Sequence, residues 1–264
     1  IMVTGIQLAG YHENLVAFRG PQSEICIWDL EGNREHLRIE NHGMGRPANF
    51  GFHPWGPILA VTGGTSKQAC LFDTNSGELK MRIDLQDTGG YLDWNRDGSL
   101  LAISEDRDIG VYSYPDGRSV SRLKGHQALA CFLRFHPNEN LLVSDSWDDS
   151  FRIWDPYRGI QLIRGQGYCR GISPDGDRLA YSHRFDSGVL ELAPGTECRF
   201  LRERVNKPGN HRELHFDSRS RLLFSGHDYG ASVWHVESLT QLCELNIGNT
   251  YSVCLLESIN TLFS

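Results

Sequence analysis

Gly125-His126, Phe135-His136-Pro137 and Ser146-Trp147-Asp148-Asp149-Ser150-Phe151-Arg152-Ile153-Trp154-Asp155 are the parts of one stretch whose pattern decides the fold. Its last three residues end an apolar, β-rich run with an aromatic and a polar residue. The same ending recurs at Ile27-Trp28-Asp29, Leu71-Phe72-Asp73, Val111-Tyr112-Ser113 and Val233-Trp234-His235, with a degenerate copy at Val189-Leu190-Glu191. The aromatics are spaced by 44 (28 to 72), 40 (72 to 112) and 42 (112 to 154) residues; the gap of 80 from 154 to 234 is two periods with the degenerate copy between. A fixed period of this size signals a repeat architecture.

A second marker precedes each aromatic ending. An apolar residue runs into a tight turn at Phe52-His53-Pro54, Trp94-Asn95-Arg96-Asp97-Gly98, Phe135-His136-Pro137, Ile172-Ser173-Pro174-Asp175-Gly176, Phe216-Asp217-Ser218 and Leu256-Glu257-Ser258. Pro, Asp and Gly supply the fixed and the positive φ that such turns need. An apolar strand follows each turn. The opening Gly5–Phe18 fits the same pattern, with its turn placed at Gly10–Asn14. Each period therefore holds four short strands, and helical periodicity is absent. The expected fold is all-β, a β-propeller of four-stranded antiparallel blades. The blades fall at 1–40, 41–84, 85–124, 125–164, 165–204 and 205–246. Residues 247–264 supply half of a seventh, so the chain is expected to be a fragment of a single propeller domain with an open strand edge.

Here the residues carry a family resemblance. Gly-His at 125–126, then about 28 residues, then Trp154-Asp155 resembles one full WD40 repeat. Nearly the whole chain is similar to bacterial WD-repeat proteins, and the phrasing around 141–176 resembles repeat domains often fused to serine/threonine protein kinases. What the resemblance implies is a non-enzymatic scaffold for protein–protein interaction, cytoplasmic or a soluble domain of a larger, membrane-anchored protein. Its partner would be another protein or an adjacent domain of the same polypeptide, with no cofactor. Carried over to the fourth blade, the family's polar network would be His126, Ser146 (or Ser144), Asp148 and Trp154. An indole N–H needs an acceptor when buried, and a carboxylate can fix a histidine tautomer. Trp28, Trp154 and Trp234 read as packing residues between sheets. Asp106 and Asp228 share with Asp148 the place six residues before the aromatic, whereas Gln22, Ser66 and Arg184 occupy it elsewhere, so blade four is expected to be the firmest.

Composition narrows the function classes. With 39% hydrophobic and 22% charged residues, the 264-residue chain has the make-up of a globular domain. Its net charge of −7 and lack of a basic run exclude a phosphate-neutralising nucleic-acid surface. No stretch of about eighteen apolar residues offers a membrane span. Seven cysteines, an odd number without a C-x-x-C pair, read as reduced thiols in a reducing compartment. Nucleophile-elbow, phosphate-loop and kinase motifs are missing.

In the family, the loops entering the innermost strand and those joining the second and third strands form the usual binding face. Mapped here, they bring Trp147, Tyr168, Arg170, His183, Arg184, Phe185, His227 and Tyr229 forward as candidate partner contacts, rich in the residue types of interaction hot spots. The alternative from a different class is a hydrolytic or metal-binding propeller acting at its central channel. Its candidates are His211, Glu213 and His215, which share one face of a strand, with Asp93 as a further carboxylate. Equivalent positions in blade four are Phe132 and Arg134, and in blade five Cys169 and Gly171, so no ring of ligands converges.

Overall fold

In the computed structural model, the described residues are 10–12, 14–40, 43, 45–183, 186–192, 198–201, 211–228, 230–238, 240–245, 254–256 and 261–263. Every regular element among them is a β-strand. The first sheet holds β1 (Gly10–His12), β2 (Leu15–Arg19), β3 (Ile25–Asp29) and β4 (Arg34–Ile39); the second holds β5 (Pro47–Phe52), β6 (Ile58–Gly63), β7 (Gln68–Asp73) and β8 (Leu79–Asp84). The third comprises β9 (Gly89–Trp94), β10 (Leu100–Glu105), β11 (Asp108–Ser113) and β12 (Ser119–Leu123); the fourth comprises β13 (Ala130–Phe135), β14 (Leu142–Ser146), β15 (Ser150–Asp155) and β16 (Ile160–Gln166). The fifth is β17 (Tyr168–Ile172), β18 (Arg178–His183), β19 (Asp186–Glu191) and β20 (Cys198–Leu201), and the sixth is β21 (His211–Phe216), β22 (Leu222–His227), β23 (Gly230–His235) and β24 (Thr240–Leu245). A two-stranded pair follows, β25 (Cys254–Leu256) with β26 (Thr261–Phe263). Strands in each four-stranded sheet are adjacent in chain order, the meander of a β-propeller blade.

One boundary differs from the sequence pattern. Gly10–His12 is not a turn but strand β1, paired with β2 from Gly10↔Ala17 to His12↔Leu15.

The chain divides into two compact units, Ile1–Phe135 with Asn140–Asp148 and Arg152–Ile163, and His136–Glu139 with Asp149–Phe151 and Arg164–Ser264. Within each, the middle strands are buried on both faces because neighbouring sheets cover them. All six residues of β6 and of β10 are buried, which explains why these strands read as continuous apolar runs instead of alternating. In the first unit, Ile27, Phe50, Val61 and Phe72 form one inter-sheet core, Leu71, Trp94, Ile103 and Tyr112 the next, and Val111, Leu133, Leu142 and Trp154 a third. In the second, Ala180, Val189, Leu214 and Trp234 pack together. Outermost strands are mostly exposed, as in β8 and β16.

The Phe-His-Pro turns tie one sheet to the next. His53 Nδ1 accepts the Trp55 N–H (3.1 Å), which leaves its proton on Nε2 to donate to the Gly98 carbonyl (3.1 Å). His136 repeats this with the N–H groups of Asn138 and Glu139 (3.2 and 2.9 Å) and the Gly176 carbonyl (2.7 Å). Both glycines have positive φ, and a Cβ on either would lie within 2.4 Å of the histidine ring. The turn glycines at 98 and 176 are therefore fixed twice, by backbone conformation and by the approaching imidazole.

Candidate functional site

In the fourth sheet a polar chain runs from the core to the surface, and its proton positions follow from its ends. The Trp154 indole N–H donates to Ser144 Oγ (2.9 Å). His126 Nδ1 donates to the Asp148 carboxylate (3.2 Å), leaving Nε2 to accept the Ser144 hydroxyl (2.8 Å). Asp148 also accepts the Gln127 N–H (2.8 Å) and pairs with Arg152 at 3.6 Å. His126, Ser144 and Trp154 are buried, so each would carry a full desolvation cost without these partners. The bridging hydroxyl belongs to Ser144; Ser146 instead donates to the Ala128 carbonyl (2.8 Å) and accepts the Asp148 N–H (3.1 Å), which holds the turn. Gly125 leaves room for Arg152, since a Cβ there would lie 2.3 Å from Arg152 Nη1.

The third sheet meets the same need differently. Tyr112 stands where Trp154 stands, and its hydroxyl donates to Glu105 Oε1 (2.6 Å). Glu105, 1% exposed, further accepts Arg122 Nη1 (3.0 Å) and the Gln86 N–H (2.6 Å), while Arg122 Nε donates to Asp108 (2.9 Å). Burial first, then the adjacent carboxylate, pushes the Tyr112 phenol well above its ordinary pKa. Burial lowers that of Arg122, but the hydrogen bonds to Glu105 and Asp108 outweigh it and raise the net value. Gly110 makes room: a Cβ there would lie 2.1 Å from Glu105 Oε1. Nothing in the aromatic repeat signalled Glu105; the cue was a carboxylate at the end of a wholly buried strand.

The other network positions are not equivalent to Asp148. Asp106 is exposed, with φ of 58°, in a turn of two residues between β10 and β11. Asp228 is half-buried beside His227. Trp234 is 1% exposed and its indole nitrogen finds no acceptor among the described residues. Trp28 is only half-buried.

The candidate partner contacts separate into distinct settings. In the first unit, Trp147 points outward at 69% exposure from the three-residue turn between β14 and β15. In the second, Arg170 lies over the Tyr168 ring (4.9 Å to the centroid) and donates Nε to Ser182 Oγ (3.2 Å), and His183 Nε2 faces Asp149 at 3.4 Å. His227, expected on the surface, is 1% exposed and pairs with Ser232 Oγ (3.2 Å). It ends β22, paired with Gly230 at the start of β23, and its side chain is carried inward. Burial lowers its pKa against the opposing pull of Glu244 and Asp228. Arg184, Phe185 and Tyr229 lie outside the described residues, as do the side chains of His211 and Glu213. His215 is exposed, and no cluster of three metal-ligand side chains occurs among the described residues. Asp93 is committed to packing: it pairs with Arg134 (3.2 Å) and accepts the Phe135 N–H (2.7 Å), though burial still raises its pKa. Five cysteines are free thiols among the described residues.

One feature went unforeseen. An open cleft of about 610 Å³ in the first unit is lined by Leu15, Phe52, Pro54, Trp55 and Pro57. Trp55 is 74% exposed, with its indole N–H anchored to the Arg96 carbonyl (2.7 Å).

Repeated four-stranded sheets, four of them with a buried aromatic at the same strand position (Phe72, Tyr112, Trp154 and Trp234), define a repeat protein of the propeller class. The family profile "WD domain, G-beta repeat" matches residues 117–155, which run from β12 through β15 and contain the whole His126–Ser144–Trp154 chain. Residues 117–155 thus form a WD40 repeat, and the relatives of the chain support a WD40-repeat family. It is 31% identical over 243 residues to the rat (Rattus norvegicus) "Echinoderm microtubule-associated protein-like 1", covering 85% of this chain and 29% of that protein. To "Echinoderm microtubule-associated protein-like 4" of Xenopus laevis it is 28% identical over 157 residues, 57% of this chain and 16% of that protein. To "WD repeat-containing protein srw1" of Schizosaccharomyces pombe it is 26% identical over 148 residues, 54% and 26% respectively. The chain thus spans less than a third of the length of each of these relatives. WD40-repeat proteins are generally non-enzymatic interaction scaffolds, and the relatives support a protein-interaction role in general. Among the described residues, no helix is long and apolar enough to cross a membrane.

Proposed function

We propose that this chain presents a protein-binding face on the turns that join second to third strands and on the entries to the inner strands. Trp147 is the single observation that carries this reading. A tryptophan left 69% exposed on a turn contributes little to folding, and it is the residue type most enriched at interaction hot spots. In the second unit, Tyr168, Arg170 and His183, with Arg184, Phe185 and Tyr229, are proposed contacts in their own right. The partner is another protein or an adjacent domain of the same polypeptide, and the setting a larger cytoplasmic, bacterial signalling protein such as a kinase fusion. Because several relatives are named microtubule-associated proteins, microtubules are among the baits worth testing.

The test replaces Trp147, Arg184 and Tyr229 together by alanine and repeats affinity capture, with Trp55→Ala as a control at the separate cleft. Loss of the partner from a folded triple variant, with capture kept by Trp55→Ala, is the expected result. Undiminished recovery by the triple variant rules this face out.

A further inference from the structure

The inner strand of the fifth sheet carries a bulge in an unusual place. In β5, β13 and β21 the ladder skips residues 48, 131 and 212, each four before the last paired residue of the strand (Phe52, Phe135 and Phe216). In β17 it skips Arg170, two before Ile172. A bulge leaves its extra residue out of the ladder and re-aims the side chain. Here the re-aimed side chain is a half-buried arginine held on two sides. Its guanidinium lies over the Tyr168 ring at 4.9 Å, and its Nε donates to Ser182 Oγ at 3.2 Å. Neither contact uses Nη1 or Nη2, and Arg170 forms no ion pair among the described residues.

A guanidinium fixed through Nε and through its face presents the two Nη groups as a fork. That geometry fits the two oxygens of a carboxylate or phosphate, and fixing it beforehand reduces the ordering cost of binding. A purely structural arginine would spend the Nη groups on backbone carbonyls or an acid, as Arg122 does with Glu105 and Asp108. We propose that Arg170, clamped between Tyr168 and Ser182, is an anchor for an anionic side chain, glutamate, aspartate or a phosphorylated residue, in an extended segment of the protein partner. This rests on the proposed interaction face and adds the chemistry of what binds there.

Three degenerate peptide libraries differing only at a fixed central residue (glutamate, phosphoserine or glutamine) test it against the full chain. The wild-type chain should retain the glutamate or phosphoserine library over the glutamine library by roughly ten- to hundredfold. Which of the two is held more tightly identifies the source of the anion. Arg170→Gln should abolish the preference, Arg170→Lys should keep a weakened part of it, and Arg164→Gln, an exposed arginine on β16, should leave it intact. Unchanged thermal unfolding of Arg170→Gln confirms that the fold survives. No preference in the wild type, or one that survives Arg170→Gln, overturns the proposal. Cellular-partner capture separates it from the wider reading. A partner kept by Arg170→Gln but lost by the Trp147, Arg184 and Tyr229 triple leaves the face standing and removes the anionic anchor. A partner kept by both removes the face.

Discussion

The third and fourth sheets bury an aromatic at the same strand position, yet their polar networks share no residue type except carboxylate and arginine. In register against the inner strand, Glu105 stands opposite Gly89 as Ser146 stands opposite Ala130, and Ile103 opposite Leu92 as Ser144 opposite Leu133. What separates them is one residue. β10 and β11 are joined by two residues, β14 and β15 by three. The longer turn lets Asp148 fold back on His126 while Trp147 swings out. In the shorter turn Asp106 faces solvent, and Glu105, ending the strand, supplies the buried carboxylate in its place. Turn length decides which acid becomes structural and whether a tryptophan is released to the surface.

The comparison can be broken from either side. Trp154→Ala should cost the most, about 3–5 kcal/mol in urea unfolding, because it removes a large side chain that is 1% exposed and orphans Ser144. A loss below 1 kcal/mol would show that the indole is not packed as described. Glu105→Ala should cost nearly as much, about 3 kcal/mol, since it leaves the buried Tyr112 hydroxyl without an acceptor and Arg122 with Asp108 alone. An intact midpoint there would mean that Arg122 and Tyr112 find other partners. Ser144→Ala should cost about 1–3 kcal/mol, because the Trp154 N–H and His126 Nε2 lose their shared partner.

Smallest at neutral pH is Tyr112→Phe, about 1 kcal/mol, but it sharpens the comparison by its pH dependence. The folded phenol titrates above its unfolded value near 10. Between the two values the native state holds a proton that the unfolded state has lost, so stability is full below pH 10 and falls as pH rises above it. Tyr112→Phe should flatten that alkaline limb, and a limb of unchanged slope would place the titrating group elsewhere.

The sequence alone made the sheets legible because an aromatic ending and a turn recur at a fixed period, and both are local. Trp154, His126 and Asp148 were legible through the complete Gly-His to Trp-Asp motif. Glu105 was not, because its role depends on Gly110 leaving space across the hairpin and on Arg122 arriving from β12. Asp106 and His227 were misplaced for one reason. Counting back from the aromatic fixes a position along the chain, but the turn length fixes which way the side chain points. The bulge that frees Arg170 is likewise a property of pairing, invisible until β17 is set against β18.

The most direct test compares two variants of a single residue by urea unfolding: Trp147→Ala and deletion of Trp147. The substitution removes only an exposed side chain and should leave stability within about 0.5 kcal/mol of the parent. The deletion shortens the turn to two residues, pulls Asp148 away from His126 and should cost about 2–4 kcal/mol. Equal stability of the two variants would contradict the claim that turn length builds the fourth sheet's network and turns Trp147 outward.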